Sequence, residues 1–381
     1  MWQCWSLACK SGTRVGMSVS AAASAADISI ASAGACQEIQ SPHNVKQEAD
    51  TEIVTLLDQS GLSLAILPDA EFWFEDGSIV IVSRLGDVGF RVYKRLLAEH
   101  SPIFRDIFSL PQPNQPAVES SWGCPVVVVD ESPEQLRHLF RVIFPINGNI
   151  NFGKNQRSVS MDALAAVIQL SHKYEIDQLL AQALSILTEY YTEVFEDWLN
   201  PDRETCLMVN DLGDSISAIG LARLTGTSSV LPLAYFHAGR IETKELDEYM
   251  RRSVCANHLM ECDYYRILDG KFAVIKAGSQ ALARIFKPDV EDSCEQIDDE
   301  CIEALKAKAC VLDELLEKLY VHPTQIQTWA DAFDDAEFED GSEICPPCRA
   351  MVAARELEER KTLWEALPGI FGLSLDDWSA E

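Results

Sequence analysis

Long apolar runs are missing from this chain. Segments such as Ile79–Val82 and Val126–Val129 are strand-length, far short of the roughly 18 apolar residues that a membrane helix requires. Positive charge is scarce too: 31 Lys and Arg stand against 60 Asp and Glu, a formal net charge of −29. Affinity for DNA and RNA rests largely on Lys and Arg neutralising phosphates, and an acidic chain is repelled by polyanions and by anionic lipid. Composition therefore argues against direct nucleic-acid or membrane binding. No Asn-x-Ser/Thr sequon occurs, and the 12 cysteines are spread along the chain rather than crowded into a small module. That pattern suits reduced thiols in the cytoplasm or nucleus, most of them acting as small buried hydrophobes. Catalytic signatures are absent as well: there is no G-x-S-x-G, H-E-x-x-H or G-x-G-x-x-G, and the carboxylates fall in acidic runs that are ordinarily solvated faces. The chain is not expected to be an enzyme.

What is present reads as a soluble, largely globular protein, 47% hydrophobic and 24% charged over 381 residues, a length that suggests two or three folded units. Residues 1–66 read as a disordered or loosely ordered tail, with a short helix and then an extended piece expected within 51–67. The acid-free, Ser- and Ala-rich stretch 1–26 shares its composition with mitochondrial transit peptides, but it lacks their repeated Arg and amphipathic period. A disordered tail, or an extension ahead of a working start at Met17, is the expectation.

Folded sequence is expected to open at Phe72-Trp73-Phe74, with Glu75-Asp76-Gly77 as a turn. Ser78–Val82 and Phe90–Tyr93 read as a hairpin. Lys94–Glu99 reads as a helix, and Ser101 as the cap of a second helix over Pro102–Phe108. Pro125–Asp130 reads as a buried strand, and Ser132-Pro133-Glu134 opens a helix whose apolar stripe is Leu136, Leu139, Phe140 and Ile143. Two more helices follow, one with Leu164, Val167, Ile168 and Leu170 inward, the other over Ile176–Tyr191. The order of elements predicts an α+β unit over 67–192. Residues 193–381 read as a mostly α-helical region with acidic loops and a C-x-x-C. Its last helix is expected over Cys348–Leu367, with Ala353, Leu357, Trp364 and Leu367 inward, Arg360 breaking the stripe and Pro368-Gly369 stopping it.

Phe90-Arg91-Val92-Tyr93-Lys94-Arg95-Leu96-Leu97-Ala98-Glu99-His100-Ser101-Pro102-Ile103-Phe104 closely resembles the signature of BTB/POZ domains, a strand F-x-V-H-K/R followed by x-x-L-A-x-x-S-x-x-F. Asp76, Pro125–Asp130 and Ala163–Leu180, with its Lys173-Tyr174-Glu175-Ile176, fall in the family's order. Tyr93 stands where the family usually has His, and the Leu110–Gly123 loop is longer than usual. The variant resembles the BTB proteins expanded in fungi, through Phe74–Gly77, Ser101–Pro113, Cys345–Cys348 and Trp364–Trp378. The resemblance implies a small sheet with clustered helices and an adaptor that binds protein partners, itself included as a homodimer or hetero-oligomer. One implied partner is a cullin ubiquitin-ligase scaffold, met through the helix after Ser132 and the loop at Leu110 and Pro111. Asp76 and Lys94 lie where dimeric relatives place an acidic and a basic residue in a shared pocket; a turn Asp and a solvated Lys is the other reading. A transcriptional or chromatin co-regulator reaching DNA through other proteins is an alternative function, and an enzyme hidden in 193–381 is a third.

Two motifs invite chemistry. Gly148-Asn149-Ile150-Asn151-Phe152-Gly153-Lys154-Asn155 nearly spells a P-loop, yet Asn155 replaces the Ser/Thr needed for magnesium and the preceding segment reads as helix, so a polar loop is expected. Cys345-Pro346-Pro347-Cys348 is a single C-x-x-C, and zinc would need two further ligands from Cys294, Cys301 and Cys310, or from Cys255, His258 and Cys262. The prevailing expectation is no cofactor, with Cys345 and Cys348 as half-buried thiols ahead of the last helix.

Overall fold

In the computed structural model the described residues are 54–57, 63–110, 123–144, 159–295, 300–310, 344–375 and 378. Pro111, the P-loop-like 148–155 and the acidic run 331–343 lie outside them. Five strands join in one sheet: β1 (Val54–Leu57), β2 (Ser63–Trp73), β3 (Ile79–Ser83), β4 (Val88–Val92) and β5 (Val126–Val129). Their spatial order is β1-β2-β4-β3-β5. The β3–β4 hairpin is antiparallel in the register Ile81 opposite Phe90, whereas β5 joins β3 and β2 joins β4 in parallel. Every residue of β3 is buried because it lies inside the sheet with both faces covered. Ile79 and Ile81 enter the main core, and Val80 and Val82 pack with Ile66 on the opposite face, as strand alternation demands.

Residues 51–67 differ from expectation. No helix occurs there among the described residues, and Val54–Leu57 pairs antiparallel with Ser63–Ile66 instead. Strand β2 also runs straight through Pro68, which usually marks an edge or a break. Its pairing with β4 shifts register between Pro68 and Trp73. There the buried Asp69 carboxylate accepts from the Glu71 and Phe72 N–H groups at 3.0 and 2.9 Å, so a side chain supplies what the ladder cannot. Arg137 neutralises it at 2.8 Å. Strand β5 is less buried than its run of four valines suggests: it has a single strand neighbour, and Val128 is 47% exposed.

Helices α1 (Lys94–His100) and α2 (Pro102–Ser109) follow the hairpin. Ser101 ties this pair to the rest: its Oγ accepts from the Phe104 N–H at 3.0 Å and donates to the Tyr174 carbonyl. Helix α3 (Pro133–Ile143) opens at Ser132 as expected, and a capping box joins Ser132 to Gln135. Helix α4 (Met161–Lys173) is buried over most of its surface and packs between α3, α5 (Asp177–Tyr190) and α7 (Gly213–Thr225). The core is consequently continuous from the sheet into the helical region. Gly220 of α7 lets Cys255 approach, since a Cβ there would sit 2.4 Å from the Cys255 Cβ.

The helical region continues through α6 (Phe195–Leu199), α8 (Leu231–Ala238), α9 (Thr243–Arg252), α10 (Glu261–Ile285), α11 (Glu300–Cys310) and α12 (Pro346–Ile370). A two-stranded pair, β6 (Val159–Ser160) with β7 (Leu207–Met208), links it to the start of α4. In α12 two expectations fail. Ala353 and Leu357 face solvent, and the buried stripe is Cys348, Val352, Glu356, Leu363, Trp364 and Leu367. The buried Glu356 pairs with Arg360 at 3.8 Å, and the guanidinium lies 5.6 Å from the Trp198 ring centroid. A charged pair on the inward face defeats a reading based on hydrophobic period. Nor does Pro368 stop the helix, which runs on to Ile370. Proline removes the N–H that would have bonded the Trp364 carbonyl, and the Trp378 Nε1–H takes its place at 3.0 Å.

Helix α8 is buried on all sides and carries His237 with it. Burial, then the charges of Arg203 and Arg240, push this imidazole down to about 3, so the folded protein holds it neutral. Unfolding returns it to its ordinary value near 6.5, and the unfolded chain then binds the extra proton below that pH. Its contribution to stability is complete above about pH 6.5 and falls as the pH drops toward 3. Between pH 7 and 5.5 urea unfolding should register a loss of about 1 kcal/mol from this residue. His237→Phe should remove that increment, and an unchanged pH dependence in the variant would contradict the assignment.

Candidate functional site

Two places concentrate the residues singled out by sequence. The first is the surface where β4 hands over to α1. Tyr93 stacks on Phe74, ring centroids 4.9 Å apart, and donates its hydroxyl to Asp76 at 2.8 Å. That hydrogen bond, with lesser help from burial and the carboxylate charge, raises the phenol above its ordinary value. The residue in the histidine position is thus a neutral donor locked to the turn Asp. Lys94 is engaged elsewhere: its Nζ donates to the Phe108 carbonyl at 3.3 Å and lies 5.5 Å from the Phe108 ring centroid. A cation there complements the C-terminal end of α2. Asp76 and Lys94 are not joined in an ion pair among the described contacts. Leu110, the residue that closes α2, is 65% exposed. Helix α3 turns its polar side outward, with Arg137 on Asp69 and Glu134, and Arg141 on Glu71 at 2.7 Å.

The second place is the start of α12. Cys345 is its N-cap residue and Cys348 lies in its first turn. Cys294, from the chain after α10, and Cys301, in the first turn of α11, meet them there. The four sulfur atoms lie within 4.8 Å of one another. Cys294 and Cys345 are 3.7 Å apart, and the Cys345 N–H donates to the Cys301 sulfur at 3.4 Å. Cys301, Cys345 and Cys348 are buried and Cys294 is half-buried. Cys294 and Cys301 are two of several candidates in the sequence, and spacing alone does not say which distant thiols the fold will collect. The rival set separates: Cys255 is buried against Gly220 and bonded by Gln169, while Cys262 is exposed on α10. The Cys310 side chain lies outside the described residues.

The second place gives this protein four convergent soft ligands, and the first gives it an exposed, chemically mixed face with no set of groups aimed at a reacting atom. No helix among the described residues is long and apolar enough to cross a membrane. Comparison with known families matches residues 77–190 to the BTB/POZ domain. No curated protein and no solved structure matches the chain. The match begins at Gly77, ahead of the hairpin, and ends at Tyr190, the last residue of α5, so it covers β3, β4, α1, α2, β5 and α3 to α5 in the order observed. This chain is a BTB/POZ domain-containing protein, an α+β domain with a protein-interaction role carried in a mostly helical molecule.

Proposed function

We propose that this protein is an adaptor whose BTB/POZ domain docks onto a cullin-type ubiquitin-ligase scaffold while the helical region after residue 192 holds a second protein. The BTB/POZ match at residues 77–190 carries the reading. The exposed Leu110 at the end of α2 supports it, as an apolar side chain placed where such a scaffold is expected to meet the domain. Apolar anchors that become fully desolvated supply most of the energy of a protein interface, and the polar rim sets orientation.

The test is direct binding of the full chain to the purified N-terminal part of a cullin. A dissociation constant of about 1 µM is expected, and Leu110→Asp should weaken binding by about tenfold or more. The residue is exposed, so its replacement leaves the fold intact. Absence of binding at about 100 µM cullin overturns the scaffold reading. Sedimentation of the chain alone at the same concentrations reports self-association, the other use of such a domain.

A further inference from the structure

We propose that Cys294, Cys301, Cys345 and Cys348 form a structural zinc site that fastens the start of α12 to α11 and to the chain leaving α10. The inference is independent of the adaptor reading.

Convergence is the first argument. The four cysteines come from three segments, spaced C-x6-C and C-x2-C across a long intervening stretch, and their sulfur atoms gather within 4.8 Å. Tetrahedral zinc with bonds of about 2.3 Å holds its thiolates roughly 3.8 Å apart. The Cys294–Cys345 separation is 3.7 Å, close to that edge and nearly twice the roughly 2.05 Å of a disulfide. Ordinary burial of a thiol looks different: Cys255 packs against Gly220 and takes a hydrogen bond from the Gln169 amide.

Electrostatics is the second. Four thiolates around one divalent ion leave a net charge of about −2, which the surroundings must offset. Cys301 occupies the first turn of α11, and Cys345 and Cys348 the N-terminal end of α12. Both helices therefore bring their positive dipole ends to the sulfurs, an arrangement that favours thiolate over thiol. The N–H of Cys345 already donates to the Cys301 sulfur, the kind of outer contact that orients a metal ligand. On binding, four Zn–S bonds form and the thiol protons pass to solvent. An all-sulfur tetrahedral set selects zinc or iron–sulfur centres. A cubane cluster would need its thiolates farther apart than this group allows, which leaves a single ion. All four positions are taken by protein, as in closed structural sites that carry no reaction.

The full chain, expressed with zinc in the medium and purified without chelators, should contain about one zinc per molecule by elemental mass spectrometry. The Cys345→Ser/Cys348→Ser double variant should retain less than about a tenth of that, whereas Cys262→Ser should keep it all. The wild-type protein provides a second readout that does not depend on the folding of the double variant. Mercurial titration should release the zinc as four thiols react, and cobalt(II) in its place should show thiolate-to-metal charge-transfer absorption. Metal-free protein with four freely reacting thiols, a disulfide among them, or iron in place of zinc would each overturn the proposal.

Discussion

Asp263→Ala should lower the unfolding free energy by about 3 kcal/mol or more, the loss expected when one partner of a buried ion pair is removed. Asp263 is fully buried at the start of α10. One carboxylate oxygen accepts from Arg223 at 2.7 Å and from the Tyr235 hydroxyl at 2.5 Å, and the other accepts from the Met260 N–H at 2.8 Å. Burial, followed by the neighbouring carboxylate, pushes the Tyr235 phenol far above its ordinary value, so it remains a hydrogen donor at any physiological pH. Alanine would leave the Arg223 charge, whose side chain is 18% exposed, with only the Tyr235 hydroxyl oxygen to bond at 2.7 Å, take the acceptor from the Tyr235 O–H and uncap the helix. Asp263→Asn keeps acceptor capacity and should cost clearly less. Urea unfolding of the two variants checks this; a loss below about 1 kcal/mol for alanine, the range of an exposed pair, would contradict it.

Trp364→Ala should cost about 3–5 kcal/mol, the range for deleting a large buried aromatic. Trp364 is fully buried, and its ring centre lies 4.8 Å from Trp378, 5.0 Å from Trp198 and 6.0 Å from Phe195. One side chain thus joins α12, α6 and the chain end, and its loss leaves a cavity bounded by rings that cannot all close in. Its indole nitrogen has no hydrogen-bond partner among the described residues, so Trp364→Phe forfeits packing area alone and should cost roughly half as much or less. Denaturant unfolding and near-ultraviolet circular dichroism, which reads the tryptophan cluster, would show both effects. An alanine variant as stable as the parent would mean that α12 does not dock through this residue.

The candidate sites were unequally legible. Asp76, Lys94 and Leu110 lie in or beside a long contiguous signature, and local sequence was enough to place them. Their engagements were not visible: Tyr93 rather than Lys94 holds Asp76, and Lys94 turns to the end of α2. Cys345 and Cys348 were legible as a pair, but their companions Cys294 and Cys301 are defined by three-dimensional proximity that no spacing rule supplies.

By itself the sequence determined the hairpin, the capped helices after Ser101 and Ser132, the order of elements from the hairpin to α5 apart from β6, and the stripe of α4. Each depends on contacts a few residues long, on caps, or on an apolar period that burial reinforces. Tertiary structure decided the remainder. Strand β2 persists through Pro68 because Asp69 satisfies the backbone and Arg137 arrives from α3 to neutralise it. Helix α12 rolls Glu356 and Arg360 inward and runs past Pro368 because Trp198 and Trp378 are there to receive the guanidinium and the freed carbonyl. In each case a polar group contradicts the local pattern, and a partner distant in sequence satisfies it.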